Sequence, residues 1–224
     1  MRRFAVLLAA AISIAACAGP SEHAPESLGG RDSGVPALVG AAAPGAEPVP
    51  GALVDRLRAG GLAIVVRHGH TDAAQDADPI DVADCSTQRN LSERGRSESE
   101  AMGAAIRELG IPIGDVLSSV YCRAMDTGQL AFGRVEAADE IDGRAVWPPD
   151  AAKRTLAGER LGNLIRARLP AAADRNTVMI VHQLFPDALD GTVLGEGEAV
   201  VYALVGDRIE NLGTVEPGEW TGLG

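Results

Sequence analysis

Two short, almost wholly apolar runs constrain this chain more than any other feature: Leu62-Ala-Ile-Val-Val66 and Thr177-Val-Met-Ile-Val181. Apolar runs of this length without alternation read as strands buried on both faces, and such strands need helices on either side. The intervening sequence supplies them. Leu53, Val54 and Leu57 share a helical face that ends at Gly60-Gly61, a stop signal. Ser92 with Glu93 opens a second helix through about Leu109, where Ala101, Met102, Ala105, Ile106 and Leu109 recur at helical spacing before Gly110. Ile111 to Ser119 contains a strand, Arg123 to Phe132 a helix, and Ala152 to Leu169 another helix with Leu156, Leu161, Leu164, Ile165 and Leu169 as its core face. Residues 68–90 and 133–152 read as loops, and 182–198 carries no clear signal. Ala199 to Val205 and Arg208 to Val215 read as strands joined at Gly206-Asp207, a hairpin turn signal. The expected fold class is α/β: a three-layer αβα sandwich with a mostly parallel central sheet flanked by helices.

Composition narrows the function classes. With 20 Lys+Arg against 31 Asp+Glu the formal charge is −11, which argues against general affinity for nucleic acid or an anionic lipid surface. An anionic substrate would have to meet a local positive pocket. Three cysteines exclude a disulfide-scaffold miniprotein and a four-cysteine zinc ribbon. Lys153 is the sole lysine, so cationic recognition falls to arginine and its planar, bidentate fork.

The N-terminus reads as an export signal. Arg2 and Arg3 precede an apolar run from Phe4 to Ala16, too short to span a bilayer as a stable helix, and small residues stand just before Cys17. Ile14-Ala15-Ala16-Cys17 resembles a bacterial lipobox, in which Cys17 would be lipidated; ordinary cleavage near Ala18 is the alternative. Residues 18–50 hold 7 Ala, 6 Gly and 6 Pro with no apolar periodicity and read as a disordered linker. The expected organisation is therefore a signal peptide at 1–17, a linker at 18–50 and one domain at 51–224. It implies an exported, periplasm-facing lipoprotein, sorted to the outer membrane and touching membrane only through its lipid anchor.

In an α/β sheet, ligands sit beyond the carboxyl ends of the strands. After Val66 come Arg67-His68-Gly69-His70-Thr71; shortly after Ser119 comes Arg123; directly after Val181 comes His182. Taken singly, a strand-end histidine is commonly a packed, hydrogen-bonded residue and an arginine commonly pairs with a carboxylate. Together they would form an electropositive pocket in an acidic protein. Two guanidinium forks can hold the oxygens of a phosphoryl group, and a neutral imidazole is a suitable nucleophile for phosphorus. The run Asp72, Asp76, Asp78, Asp81, Asp84 lacks calcium-loop spacing and reads as a solvated rim.

These blocks resemble the histidine phosphatase superfamily, the phosphoglycerate mutase-like group. The resemblance begins at Arg67-His68-Gly69-His70-Thr71, continues through Leu91-Ser92-Glu93-Arg94-Gly95-Arg96 and Ser118-Ser119-Val120-Tyr121-Cys122-Arg123-Ala124-Met125-Asp126-Thr127, and closes at Val181-His182. It implies a phosphatase that works through a phosphohistidine on His68, with Arg67, Arg123 and His182 holding the phosphoryl group, and with no metal and no cofactor. Gly69 is expected to let backbone N–H groups approach the phosphate oxygens, and a protonated His182 would add a further donor. Cys85 and Cys122, the cysteines left after Cys17, are expected to form a disulfide at the border of this pocket.

The sequence also departs from the family pattern. Ala74 stands where family members commonly carry Asn, and Gln183 follows His182 where the acid phosphatase and phytase branch carries an acidic proton donor. Glu136, Asp139, Glu140 and Asp142 follow the second arginine, and none aligns with the glutamate other branches use. A leaving group of high pKa needs a general acid, so without one the substrates reduce to phosphohistidine, acyl phosphates or aryl phosphates. The partner is accordingly a small phosphorylated substrate or a phosphoprotein. Two rival readings stand: a non-catalytic lipoprotein that binds a phosphate ligand, and a metallohydrolase using His68, His70 and His182 as ligands.

One outcome tests the N-terminal reading directly. Intact mass of membrane-extracted protein should show a chain that starts at Cys17 and carries lipid; an unmodified chain beginning elsewhere overturns it.

Overall fold

A computed structural model describes residues 50–223. Cys17, the signal segment and nearly all of the linker lie outside the described residues. Five helices alternate with six strands. They are α1 (Pro50–Ala59), β1 (Ala63–Arg67), α2 (Glu93–Glu108), β2 (Ile113–Ser118), α3 (Cys122–Phe132), β3 (Glu136–Ala137), α4 (Ala151–Arg168), β4 (Asn176–Val181), α5 (Leu184–Asp190), β5 (Ala199–Val205) and β6 (Arg208–Val215). Among the described residues no helix is long and apolar enough to cross a membrane.

The strands form one sheet in the order β3-β2-β4-β1-β5-β6. β3, β2, β4 and β1 run parallel, while β5 is antiparallel to β1 and pairs with β6 as the hairpin the turn signal predicts. The apolar runs lie at the centre, with every residue of β4 buried. The pleat sends alternate side chains to opposite layers. Ile64, Val66, Val178 and Ile180 pack with α1, α2 and α3, while Val65, Met179 and Val181 pack with α4 and α5. This is the three-layer αβα sandwich.

Local chemistry fixes the helix starts. The Ser92 hydroxyl accepts from the Gly95 N–H at 3.1 Å to cap α2, and the Asp150 carboxylate accepts from the Lys153 N–H at 2.8 Å to cap α4. Two elements fall where the sequence reads otherwise. β3 is a two-residue strand inside the expected loop 133–152, and α5 lies in the segment without clear signal. Both are too short to impose periodicity and form because neighbouring elements pair with or cover them.

The edge opposite the active-site candidates is tied by Asn176, which is fully buried. Its side-chain oxygen accepts from the Leu62 N–H at 3.2 Å, and its amide donates to the carbonyls of Leu57 at 2.7 Å and Pro112 at 3.0 Å. One side chain thus joins the end of α1 to the entries of β1 and β2. Asn176→Ala should cost about 2–3 kcal/mol by stranding buried backbone groups, read as a lower denaturation midpoint with an unchanged m-value.

Candidate active site

The register of β1 against β4 decides what meets at the carboxyl edge. Arg67 stands opposite Val181, so His68 and His182 leave the sheet side by side. Their ring centroids lie 5.3 Å apart, and the backbone N–H of His68 donates to the Val181 carbonyl at 3.1 Å. The next parallel strand, β2, leads through Ser119 and Tyr121 into α3, which places Arg123 in its first turn. His68 and Arg123 are 2% and 5% exposed. Arg67, His68, Arg89, Arg123 and His182 all line one cleft of about 780 Å³.

The hydrogen bonds define the protonation of His68. Nδ1 lies 3.0 Å from the carbonyl oxygen of Gly69, which can only accept, so Nδ1 carries the proton and Nε2 keeps its lone pair. Burial lowers the His68 pKa to about 4; the Gly69 hydrogen bond opposes the shift, and the charges of Arg123 and Arg67 reinforce it. The imidazole is therefore neutral at physiological pH. His182 is pushed well below its ordinary value by burial and then by His68, Arg123 and Arg67. The shift favours the neutral imidazole, so the further donor that a protonated His182 would add is disfavoured. Its Nε2 lies 3.0 Å from the Ser119 hydroxyl, which also accepts weakly from the Gly143 N–H at 3.4 Å. Tyr121 meets His182 edge to face at 4.8 Å and lies under the Arg123 guanidinium, whose carbon is 4.5 Å from the ring centroid. Gly143 closes the far side, where a Cβ would come within 2.6 Å of the His182 ring.

The arginines are held by part of their donor sets only. Arg67 donates through one terminal nitrogen to the Leu194 carbonyl at 2.8 Å and faces Glu196 at 3.5 Å through the other. Arg123 donates to Asp76 at 2.9 Å and to the Arg89 carbonyl at 3.1 Å. The Nε–H of each is buried and has no hydrogen-bond partner within the protein. Glu196 also accepts from the Thr71 N–H at 3.1 Å and hydroxyl at 2.9 Å, and it faces Arg89 at 3.5 Å. Burial raises the pKa of Glu196, but the Thr71 hydrogen bonds and the nearby Arg67 guanidinium outweigh that and hold it below the ordinary carboxylate value.

Several expectations are altered by these contacts. The Gly69 N–H is taken by the Thr127 hydroxyl at 2.9 Å, so it is not a phosphate donor. Gly69 is required instead by close approach: a Cβ there would lie 3.0 Å from both the Gly95 carbonyl and the Ser99 hydroxyl of α2. His70 does not line the cleft; its Nδ1 pairs with Glu98 at 2.6 Å, and among the described residues no cluster of His, Cys, Asp or Glu is arranged to hold a metal. Asp76 is no solvated rim residue, since it seats Arg123 and accepts the Arg89 N–H at 2.8 Å. Glu136, Asp139 and Glu140 stay outside the cleft, and Asp142 is held by the Arg144 guanidinium at 2.6–3.2 Å.

Arg89, Glu196, Ser119 and Asp76 are the contributors that sequence reading did not single out. Glu196 had a usable signal. It stands three residues before β5, and because β5 is antiparallel to β1 its beginning lies at the same edge as the carboxyl ends of the parallel strands.

Cys85 and Cys122 are joined as a disulfide, Sγ–Sγ 2.00 Å and Cα–Cα 5.7 Å. It fastens the long loop to the first residue of α3, adjacent to Arg123. Gln88 reinforces this fastening: its carbonyl accepts the Cys122 N–H at 3.0 Å and its amide donates to the Asp81 carbonyl at 3.1 Å.

Three arginines and two histidines thus meet in one cleft at one edge of an αβα sandwich. The family model for the histidine phosphatase superfamily (branch 1) matches residues 63–145. Over those residues the chain is similar to that superfamily. Over 73 residues, 33% of this chain, the sequence is 32% identical to the mitochondrial serine/threonine-protein phosphatase Pgam5 of Drosophila yakuba, and 33% identical to that of Drosophila melanogaster. The aligned region spans 22% of the length of these curated relatives. In fold, the chain is similar to a phosphoserine phosphatase mutant from Entamoeba histolytica (TM-score 0.52, 12% identity, 70% of this chain and 97% of that one). It is also similar to a mycobacterial glucosyl-3-phosphoglycerate phosphatase (TM-score 0.50, 18% identity, 67% and 94%). These likenesses establish the phosphoglycerate mutase-like architecture.

The loop that seats Arg123 depends on the disulfide, so its removal should be felt in both stability and activity. The Cys85→Ser/Cys122→Ser double variant should lose about 2–4 kcal/mol of stability for a crosslink of this span. The same variant should show a lower kcat/KM, and alkylation of the wild type should label neither cysteine before reduction.

Proposed function

We propose that the protein is a metal-independent phosphatase that hydrolyses its substrate through a phosphohistidine on His68. The observation that carries this reading is the convergence of Arg67, Arg89 and Arg123 in one cleft on a neutral imidazole whose Nδ1 proton is committed to the Gly69 carbonyl, so that Nε2 keeps its lone pair. Guanidinium groups gathered in this way attract a phosphoryl group, whose oxygens accept from their N–H donors. Nε2 of His68 attacks phosphorus, the bond to the leaving oxygen breaks, and that oxygen departs with the electron pair. Water then attacks phosphorus, the P–N bond breaks, and its electrons return to Nε2 while the proton from water passes to solvent or the departed oxyanion. Nδ1 keeps its proton on the Gly69 carbonyl throughout. Arg67 and Arg123 neutralise charge on the transferring group, and His182 contributes an N–H that needs no net charge in the resting cleft.

The export-type N-terminus supports a periplasm-facing location with Cys17 lipidated, and a small phosphorylated compound or a phosphoprotein as substrate. A phosphate-binding lipoprotein would use the same arginines but has no use for an imidazole held with its lone pair free.

Three measurements decide between these readings. His68→Ala should abolish both turnover and a base-stable, acid-labile phosphoryl label on the protein, whereas Arg123→Ala should retain the label and slow its formation by about 10²–10³. Chelators should leave the rate unchanged. The acid limb of kcat/KM, corrected for substrate ionisation, should fall near pH 4 and not near 6.5, because the lowered pKa keeps His68 neutral and nucleophilic throughout that interval. Robust turnover that survives His68→Ala would refute the mechanism.

A further inference from the structure

We infer that the leaving group is aromatic: the cleft is built for an aryl phosphate monoester whose ring lies against Trp147. This rests on the phosphatase reading above and concerns the part of the cleft beyond the phosphate. The cations that line the cleft are Arg67, Arg89 and Arg123, all grouped with the two histidines. The rest of the lining includes the apolar side chains of Ile80, Val146, Trp147, Pro148 and Leu184 and the carboxylates of Asp76 and Asp78. Beyond the arginine group, a second phosphate or a carboxylate on the substrate would meet no further cation among the lining residues and would face the Asp78 carboxylate. A flat apolar body would be received.

Trp147 carries the inference furthest. It is 67% exposed, in a chain with only 2 Trp and 3% aromatic residues. Its backbone is nonetheless fixed, because the Lys153 ammonium donates to the carbonyls of Trp147 at 3.2 Å and Pro148 at 3.0 Å. The preceding turn is held by the Asp142–Arg144 pair, and Val146 is buried beneath it. An exposed indole lining a cleft, carried on a backbone held in place, is a surface available for stacking.

The carboxylates that line the cleft point to the same substrate class independently. Asp76 is engaged with Arg123, and Asp78 is exposed to solvent. Neither is a buried carboxyl of the kind that protonates a poor leaving group. A phenol, with a pKa of about 10, leaves as its anion far more readily than an aliphatic alcohol. In the first step the P–O(aryl) bond breaks, the phenolate carries off the electron pair, and it takes a proton from solvent.

Binding of phosphonates tests recognition of the ring apart from leaving-group chemistry. Benzylphosphonate and methylphosphonate carry the same ionisable group and differ by one phenyl ring; titrated into the full chain at a pH where both are fully ionised, the benzyl compound should bind about tenfold tighter, a stacking-sized difference. Trp147→Ala should narrow that ratio to about twofold, and Trp147→Phe should restore most of it. Phosphonoacetate, with a carboxylate in place of the ring, should bind no tighter than methylphosphonate. A phosphotyrosyl peptide that competes as well as benzylphosphonate assigns the ring to a protein side chain; failure to compete assigns it to a small molecule. Equal binding of the benzyl and methyl compounds, an unchanged ratio in Trp147→Ala, or tighter binding of phosphonoacetate overturns the inference while leaving the phosphate cleft standing. If no phosphonate binds and no ester is turned over, the phosphatase reading fails and the inference fails with it.

Discussion

The parallel pairing of β1 with β4 is the constraint from which the site follows. Residues beyond paired positions on adjacent parallel strands emerge together at one edge, so the register Arg67 to Val181 places His68 beside His182 with no further device. A slip of one residue would turn one imidazole into a helical layer and leave Arg67 among apolar neighbours. The continuous burial of β4 makes such a slip costly, since both of its faces are packed. The geometry of the cleft is therefore secured by residues such as Val65, Met179 and Ile180, which have no chemistry of their own.

Electrostatics impose the second demand. Several cations and two imidazoles gathered in one concavity would repel one another if all were charged. The molecule meets this by keeping both imidazoles neutral through burial and by pairing the arginines with carboxylates, Asp76 on Arg123 and Glu196 between Arg67 and Arg89. Those pairs engage the terminal nitrogens of Arg67 and Arg123. The overall charge of −11 then confines attraction for an anion to this place.

Much of this was readable from residues alone. Apolar runs located the central strands, Ser92 and the spacing of Met102, Ala105 and Ile106 located α2, and the strand-end rule found Arg67, His68, Arg123 and His182. What escaped has physical causes. β3 and α5 are shorter than the period needed to detect them. Glu196 precedes an antiparallel strand, where a rule about carboxyl ends does not look. Asp76 appeared to be one of several solvated acids because nothing local distinguishes it; only the crosslinked loop carries it to Arg123. The Gly69 N–H looked free because its partner, Thr127, is distant in sequence and belongs to α3.

The ends of the sheet have a consequence of a different kind. A central sheet this apolar would be a template for further strands if its margins were long and flat. On one side it stops at β3, two exposed residues that offer little backbone to extend. On the other it stops at β6, which carries Arg208, Glu210 and Asn211 and is thrown out of simple register near Val200 and Tyr202. Brevity on one margin and charge with irregular register on the other are means by which natural sheets refuse a partner. The same strands that build the cleft are thereby kept from propagating into an aggregate.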